Sequence, residues 1–438
     1  MSSVTKPSAR IADGHGHLLI LATVSLLAGA AAGLIGALFR ICLLKADDWR
    51  NALLASASNW SVAGFLLVVT VCAVSTAVAA WLVRRLCPFA SGSGIPHVEA
   101  VLHDELEPAP PALVPVKFVG GVLAIASGQA LGREGPSVQM GATICHLIGK
   151  LLRRNPADCL VLLAAGAGAG LATAFNAPIA GAVFVLEELY RRFDTRIAIA
   201  TTGASAGAIA ISRVLLGDQP DFHIDDFAHP GFGTVPVFLA FGAVIGLLGI
   251  AYNRTLLAAL SAAERLKRVP VELRAACIGA AVGVIAWFAP DLVGGGDPIT
   301  QRTLVATQIP VWLPLVLLLR FLLGAVSYSA GTPGGLFAPM LVLGALGGSI
   351  FAVVCLYCLP GFAADPRAFA VVGMAAFFTA VVRSPVTGIV LATEMTGSFT
   401  LLLPMLGSCF AAMLVPTLLN DPPIYDSLRE QTLRAQRH

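Results

Sequence analysis

Cys159–Leu186, CLVLLAAGAGAGLATAFNAPIAGAVFVL, carries no charge, and basic residues stand on both sides of it: Lys150, Arg153 and Arg154 before, Arg191, Arg192 and Arg196 after. Short loops rich in Lys and Arg face the cytoplasm, so both ends of the stretch belong on the same side of a membrane. A single helix of about 28 residues would be roughly 42 Å long and would cross. Asn176-Ala177-Pro178 resolves the conflict, because proline disfavours helix in the residue before it and suits the first turn of a new one. The stretch therefore predicts two shorter helices that enter and return. Backbone interrupted at membrane depth is tolerated only where protein or a polar cavity surrounds it.

The rest of the chain agrees with a membrane setting. Leu18–Phe39, Ser61–Val83, Gly231–Asn253 and Phe321–Ala364 are also charge-free and reach the roughly 20 residues that span a bilayer. Of 438 residues 57% are hydrophobic and 12% charged, with a mean hydropathy of +0.83, against about 25% charged in a soluble chain. The fold class is all-α and polytopic, since a β-barrel would alternate in polarity over segments of about 10 residues. A net charge of +3 in scattered clusters excludes nucleic acid as a partner. The nine cysteines show no paired spacing and read as small hydrophobes, Cys355 and Cys358 included. No histidine pair has metal-ligand spacing, so neither a metal nor a cofactor is expected, and His97 beside Pro96 reads as a loop residue.

Polar breaks fall near 45–58, 84–117, 150–158, 187–196, 213–230, 254–274 and 291–302. Lys6 and Arg10 precede an apolar run too long for a signal peptide, which predicts a retained first span after a cytoplasmic segment 1–17. A third basic cluster, Arg254, Arg265, Lys267, Arg268 and Arg274, reads as cytoplasmic; the acidic stretch Asp218–Asp226 reads as the other side. Residues 421–438 are expected to form a short cytoplasmic tail with no soluble domain following.

The chain also repeats itself. With Pro136 aligned on Pro339, Gly132-Arg133-Glu134-Gly135-Pro136 faces Gly335-Leu336-Phe337-Ala338-Pro339, and Gly141 faces Gly344. Pro178, Gly181 and Glu187 match Pro385, Gly388 and Glu394 with the same spacings of three and six, and Gly166 and Gly373 each stand twelve residues before those prolines. Four matches in order at an offset of about 205 residues point to duplication, with halves at 18–216 and 217–420. Paired Gly/Pro-interrupted segments are the pattern of transporters with inverted repeats and a midplane site.

A helix N-terminus attracts anions without a full cation, through unpaired N–H groups and roughly half a positive charge. Gly92-Ser93-Gly94-Ile95-Pro96 is built for such a start: its glycines allow close approach, Ser93 adds a hydroxyl, and Pro96 suits the first turn. The segments around Pro136 and Pro339 supply two more. Gly166-Ala167-Gly168-Ala169-Gly170 reads instead as close helix packing. Glu134, an ionisable residue in an apolar region, is a functional candidate by default. Its carboxylate would compete with a free anion at the helix start, and protonation would end the competition. Arg133 and Glu134 replace Leu336 and Phe337 in the other half, so the scaffold is duplicated and the chemistry is not. Glu187 and Glu188 suit a solvated interfacial pair, but only Glu187 has a counterpart, Glu394, whereas Glu188 faces Met395. Glu188 is therefore the candidate to pass protons from the cytoplasm towards Glu134. Tyr425, after the last apolar run, suits either an interfacial anchor or a donor to an anion at the cytoplasmic mouth.

In these motifs and their order, with Phe175-Asn176-Ala177-Pro178 between them, the chain resembles the CLC family of chloride channels and chloride/proton antiporters, in particular bacterial members without CBS domains. The resemblance implies that Ser93, Tyr425 and the backbone N–H groups of Leu336 and Phe337 bind chloride. It further implies that Glu134 is the gating glutamate, Glu188 the internal proton glutamate, and Lys117 a lysine typical of bacterial antiporters, with Gly92, Gly94, Pro96, Arg133, Gly135 and Glu187 in support. Serine rather than proline in the first motif implies chloride over nitrate, and His97 stands where relatives often carry an acid. A homodimer in the bacterial inner membrane follows, embedded in lipid, with proton-coupled chloride exchange as its activity. A passive voltage- or pH-gated channel of the same fold is the alternative. An intramembrane hydrolase, with Ser93 as nucleophile and His97 or His146 as base, is the remote one.

Overall fold

The computed structural model describes residues 15–224, 231–266, 268–306, 308–358 and 365–436. Lys6, Arg10, Asp225, Asp226 and Lys267 lie outside the described residues. The helices are α1 His15–Ala57, α2 Ser61–Leu86, α3 Ile95–Leu102, α4 Leu113–Ala126, α5 Glu134–Leu151 and α6 Pro156–Phe175. There follow α7 Pro178–Phe184, α8 Thr195–Leu216, α9 Val235–Arg265, α10 Val271–Phe288, α11 Asp297–Val305 and α12 Leu313–Tyr328. The last five are α13 Phe337–Cys358, α14 Pro366–Val382, α15 Pro385–Thr396, α16 Leu402–Leu418 and α17 Ile424–Gln436. Among the described residues extended pairing is limited to two isolated bridges.

Cys159–Leu186 breaks where proline requires it. Asn155 caps α6 by accepting the Asp158 N–H at 2.7 Å. Asn176 ends the helix in the left-handed region at φ 50°, and Pro178 starts α7. Its partner in the second half behaves alike: Asp365 caps α14, Arg383 ends it at φ 76°, and Pro385 starts α15. Arg154 and Arg196 both reach the buried Asp158, at 2.6 and 2.5 Å, which brings the start of α6 and the start of α8 to one face. α6 and α7 thus leave that face and return to it.

Contacts between matched residues carry the two-fold relation of the halves. Gly132 and Gly335 exchange both backbone hydrogen bonds, at 2.8 and 2.7 Å, and Thr332 donates to the Gln129 side chain at 3.0 Å. Glu394 accepts the N–H groups of Ile179 and Ala180 at 3.0 and 2.8 Å, capping α7. Glu187 returns the favour to α15 through the N–H groups of Val386 and Thr387 at 3.0 and 2.6 Å. A residue that meets its own counterpart, and a pair of caps that swap halves, are what a two-fold axis produces. Gly141 packs on Gly166, and Gly344 on Gly373, so closely that a Cβ at either site would strike the partner's carbonyl. The glycine-rich run of α6 is therefore a packing surface, as its sequence suggests.

The reciprocal caps predict a paired stability effect. Glu394→Ala strips two N–H groups of their acceptor and is expected to cost about 1–2 kcal/mol, seen as a lower unfolding midpoint in detergent. Glu187→Ala is expected to cost at least as much, since Thr387 Oγ1 also donates to it at 2.7 Å. An unchanged midpoint in both variants would show that water replaces these caps without loss.

In several polar stretches the break between helices is shorter than the charges suggest. α1 continues as far as Ala57, and within it Asp47 and Arg50 pair along the helix at 2.6 Å, so neither is left as an unpaired charge. α9 continues past Arg254, which reaches Asp421 at 3.3 Å, as far as Arg265. Within 84–117 lies α3, buried over most of its length, and within it His97, a helical and buried residue and not a loop one. Residues after Asp421 form α17, which begins with the fully buried pair Ile424 and Tyr425.

Candidate functional site

Three helix starts converge. Gly92 and Gly94 take φ of 58° and 85°, a region that disfavours a Cβ, and this turns the chain so that Ser93 precedes α3. Lys117, buried on α4, donates to the carbonyls of Ala90 and Gly92 at 3.1 and 2.7 Å and holds that turn. Gly334 N–H reaches the Gly92 carbonyl at 3.1 Å, tying the turn to the segment before α13. A Cβ on Gly135, at the start of α5, would collide with Ser93 Oγ, so glycine there allows the first and second helix starts to meet.

The Glu134 carboxylate crosses to the other half. Its Oε2 accepts the Ala338 N–H at 3.4 Å, in the first turn of α13. Its sequence position suggests the start of its own helix; the carboxylate lies there, against its own N–H and Gly132, and also reaches the matched helix start across the axis, next to Leu336 and Phe337. Both of those residues are fully buried. The Phe337 ring stacks on Tyr425, with centroids 6.1 Å apart, and also packs against Phe175, Phe184 and Phe378. Tyr425 is fully buried, so it is no interfacial anchor.

Ser93 Oγ, Tyr425 Oη and Glu134 Oε1 are buried without a hydrogen-bond partner. Buried polar atoms left in that state are costly, about 1–3 kcal/mol each, and two hydroxyl donors at convergent helix starts suit a small anion. With no partner on Ser93 Oγ, neither His97 nor His146 stands as a base to it. His97 packs on the Phe89 ring at 5.0 Å, and His146 lies 3.3 Å from the Cys159 carbonyl. Arg133 turns away from the centre, to Asp297 and Asp221.

Glu187 and Glu188 are not a solvated pair. They follow α7 in one wider turn, Val185–Leu189, which sends neighbouring side chains to different tasks. Glu187 caps α15. Glu188 is 2% exposed and accepts from Ser384 Oγ at 2.6 Å, with Arg191 at 3.4 Å. Both line a cavity of about 600 Å³ together with Arg191, Arg192, Arg383 and Pro423. It lies on the face of the basic clusters, since Arg191 and Arg192 line it, and Arg191 also pairs with Asp426 of α17 at 2.8 Å. A residue the sequence reading missed is Glu99, on α3, which is fully buried and shares the Arg191 Nη2 with Glu188, at 3.2 Å, while Arg429 reaches it at 3.1 Å. The signal was present, for Glu99 is an acid within the apolar run Ile95–Leu102.

Matched helix starts, a carboxylate laid across one of them and a second buried carboxylate on the basic face define an inverted-repeat membrane transporter with a candidate small-anion site. The chain belongs to the voltage-gated chloride channel family, whose model matches residues 75–417. It is similar to the H+/Cl− exchange transporter ClcA of Citrobacter koseri, 33% identical over 427 residues, covering 96% of this chain and 90% of that protein. The Vibrio cholerae protein of that name is 35% identical over 421 residues, covering 94% and 90%. Among solved structures, a slow cyanobacterial Cl−/H+ antiporter matches with a TM-score of 0.92 at 31% identity, over 95% of this chain and 99% of that one. A CLC-type fluoride/proton antiporter shares the fold, with a TM-score of 0.80 at 22% identity, over 94% and 98%.

Proposed function

We propose that this chain exchanges chloride for protons across a bacterial inner membrane. The observation that carries the reading is the Glu134 carboxylate at the α13 helix start, 3.4 Å from the Ala338 N–H, where an anion would otherwise be held. Chloride bound by Ser93, Tyr425 and the Leu336 and Phe337 N–H groups displaces that carboxylate. The displaced carboxylate takes up a proton at the outer mouth. On its return the proton passes inward to Glu188, which meets the cytoplasm through its cavity of about 600 Å³. The helix dipole favours either anion without adding a net cation, so neither is trapped. Lys117 and the glycines of the first turn act as scaffold.

A homodimer is the proposed assembly. Leu402, Leu406, Phe410 and Leu414, at helical spacing on α16, are all exposed in a single subunit, a stripe that suits a second copy embedded in lipid. The deciding experiment is flux from proteoliposomes with chloride and pH followed together. A chloride gradient is expected to drive protons uphill; chloride movement with no proton movement would make the protein a passive channel.

A further inference from the structure

Arg133 takes no part in the exchange steps, yet it stands beside Glu134. Arg133 and Glu134 line a cavity of about 140 Å³ with Asp47 and Arg50 of α1 and Asp297 at the start of α11. A free guanidinium at such a mouth draws anions to it, raising their local concentration. Here the guanidinium is held on three sides: Nη1 by Asp297 at 2.9 Å, Nη2 by Asp221 at 3.1 Å, and Nε by the Ala174 carbonyl at 2.9 Å. The second Asp221 oxygen pairs with Arg40 at 2.5 Å, and Arg50 pairs with Asp47 at 2.6 Å. Three guanidinium groups thus face three carboxylates, and the mouth carries no net charge from them.

Asp297 is placed by a device of its own. It follows Gly294, Gly295 and Gly296, the last at φ 105°, a conformation that suits glycine. Arg320, buried on α12, donates to the carbonyls of Leu292, Gly294 and Gly295 at 3.1, 2.8 and 2.9 Å. A buried guanidinium given to three loop carbonyls fixes where α11 begins, and so where Asp297 stands.

We propose that Asp297 is a positioning residue that sets the attraction of the outer mouth for chloride, by keeping the Arg133 guanidinium neutralised and turned off the route to Glu134. This rests on the exchange reading. Asp221 is 5% exposed and shared with Arg40, whereas Asp297 is 43% exposed, so its charge is removed with less risk to folding.

The test is the chloride dependence of exchange in proteoliposomes holding the full chain. Asp297→Asn, and independently Asp297→Ser, are expected to lower the KM for chloride about threefold or more with a maximal rate within about twofold of wild type. Asp297→Glu is expected to keep the wild-type KM. In an Arg133→Gln background the fall in KM is expected to disappear. An unchanged KM in both charge-removing variants overturns the proposal, as does an equal fall with and without Arg133, which would mean that Asp297 acts by its own charge alone. Proton movement by wild-type protein, recorded in the same vesicles, separates this outcome from a failure of coupled exchange.

Discussion

Glu134→Ala is expected to stop proton movement and leave chloride moving. The carboxylate is at once the anion's competitor for the α13 helix start and the group that takes a proton when displaced. Removing it frees the helix start, whose N–H groups belong to the backbone and survive the substitution. The variant should also fold, because Glu134 Oε1 is buried without a partner and its loss removes a buried polar atom that nothing satisfies. Under a chloride gradient, proton uptake is expected to fall by about 100-fold or to background, with chloride efflux kept and no longer dependent on pH. Glu134→Gln separates the two roles, since glutamine keeps the size and cannot carry a proton. Proton pumping that persists in the alanine variant would remove Glu134 from the mechanism.

How much of this was legible in the sequence depends on whether the relevant partner is near or far along the chain. The break at Asn176 and Pro178 is local, set by proline and a left-handed residue, and it can be read directly. The duplication is also legible, since glycine and proline spacings survive where side chains diverge. What escaped is what the two-fold axis brings together. Glu394 and Glu187 cap helices in opposite halves, about 200 residues away, and no local rule couples them. That the Glu134 carboxylate also reaches the other half's helix escaped for the same reason. Charge along α1 misled in the opposite direction, because Asp47 and Arg50 form a pair on one helix face and so need no loop. The burial of Tyr425 depends on α17 folding back beneath Phe337, which thirteen polar-rich residues at the end of a chain do not announce.

Glu188→Gln is expected to act from the other side of the membrane and to spare chloride. Glu188 makes no hydrogen bond to Ser93 or Tyr425; its own contacts are Ser384 Oγ at 2.6 Å and Arg191 at 3.4 Å. A glutamine keeps an acceptor for Ser384. Arg191 keeps Asp426 and Glu99, so the local structure holds. What is lost is the ability to carry a proton between Glu134 and the cavity on the basic face. Proton flux is therefore expected to drop at least about tenfold, with chloride flux reduced much less. Glu187→Gln is the informative contrast. Glu187 lines the same cavity but spends its oxygens on Val386 N–H, Thr387 N–H and Thr387 Oγ1, so its replacement should lower stability and leave the ratio of the two fluxes unchanged. Equal loss of chloride and proton flux in Glu188→Gln would mean that the residue shapes the transporter without carrying protons. A changed flux ratio in Glu187→Gln would show that the cap, not its unpaired neighbour, lies on the proton route.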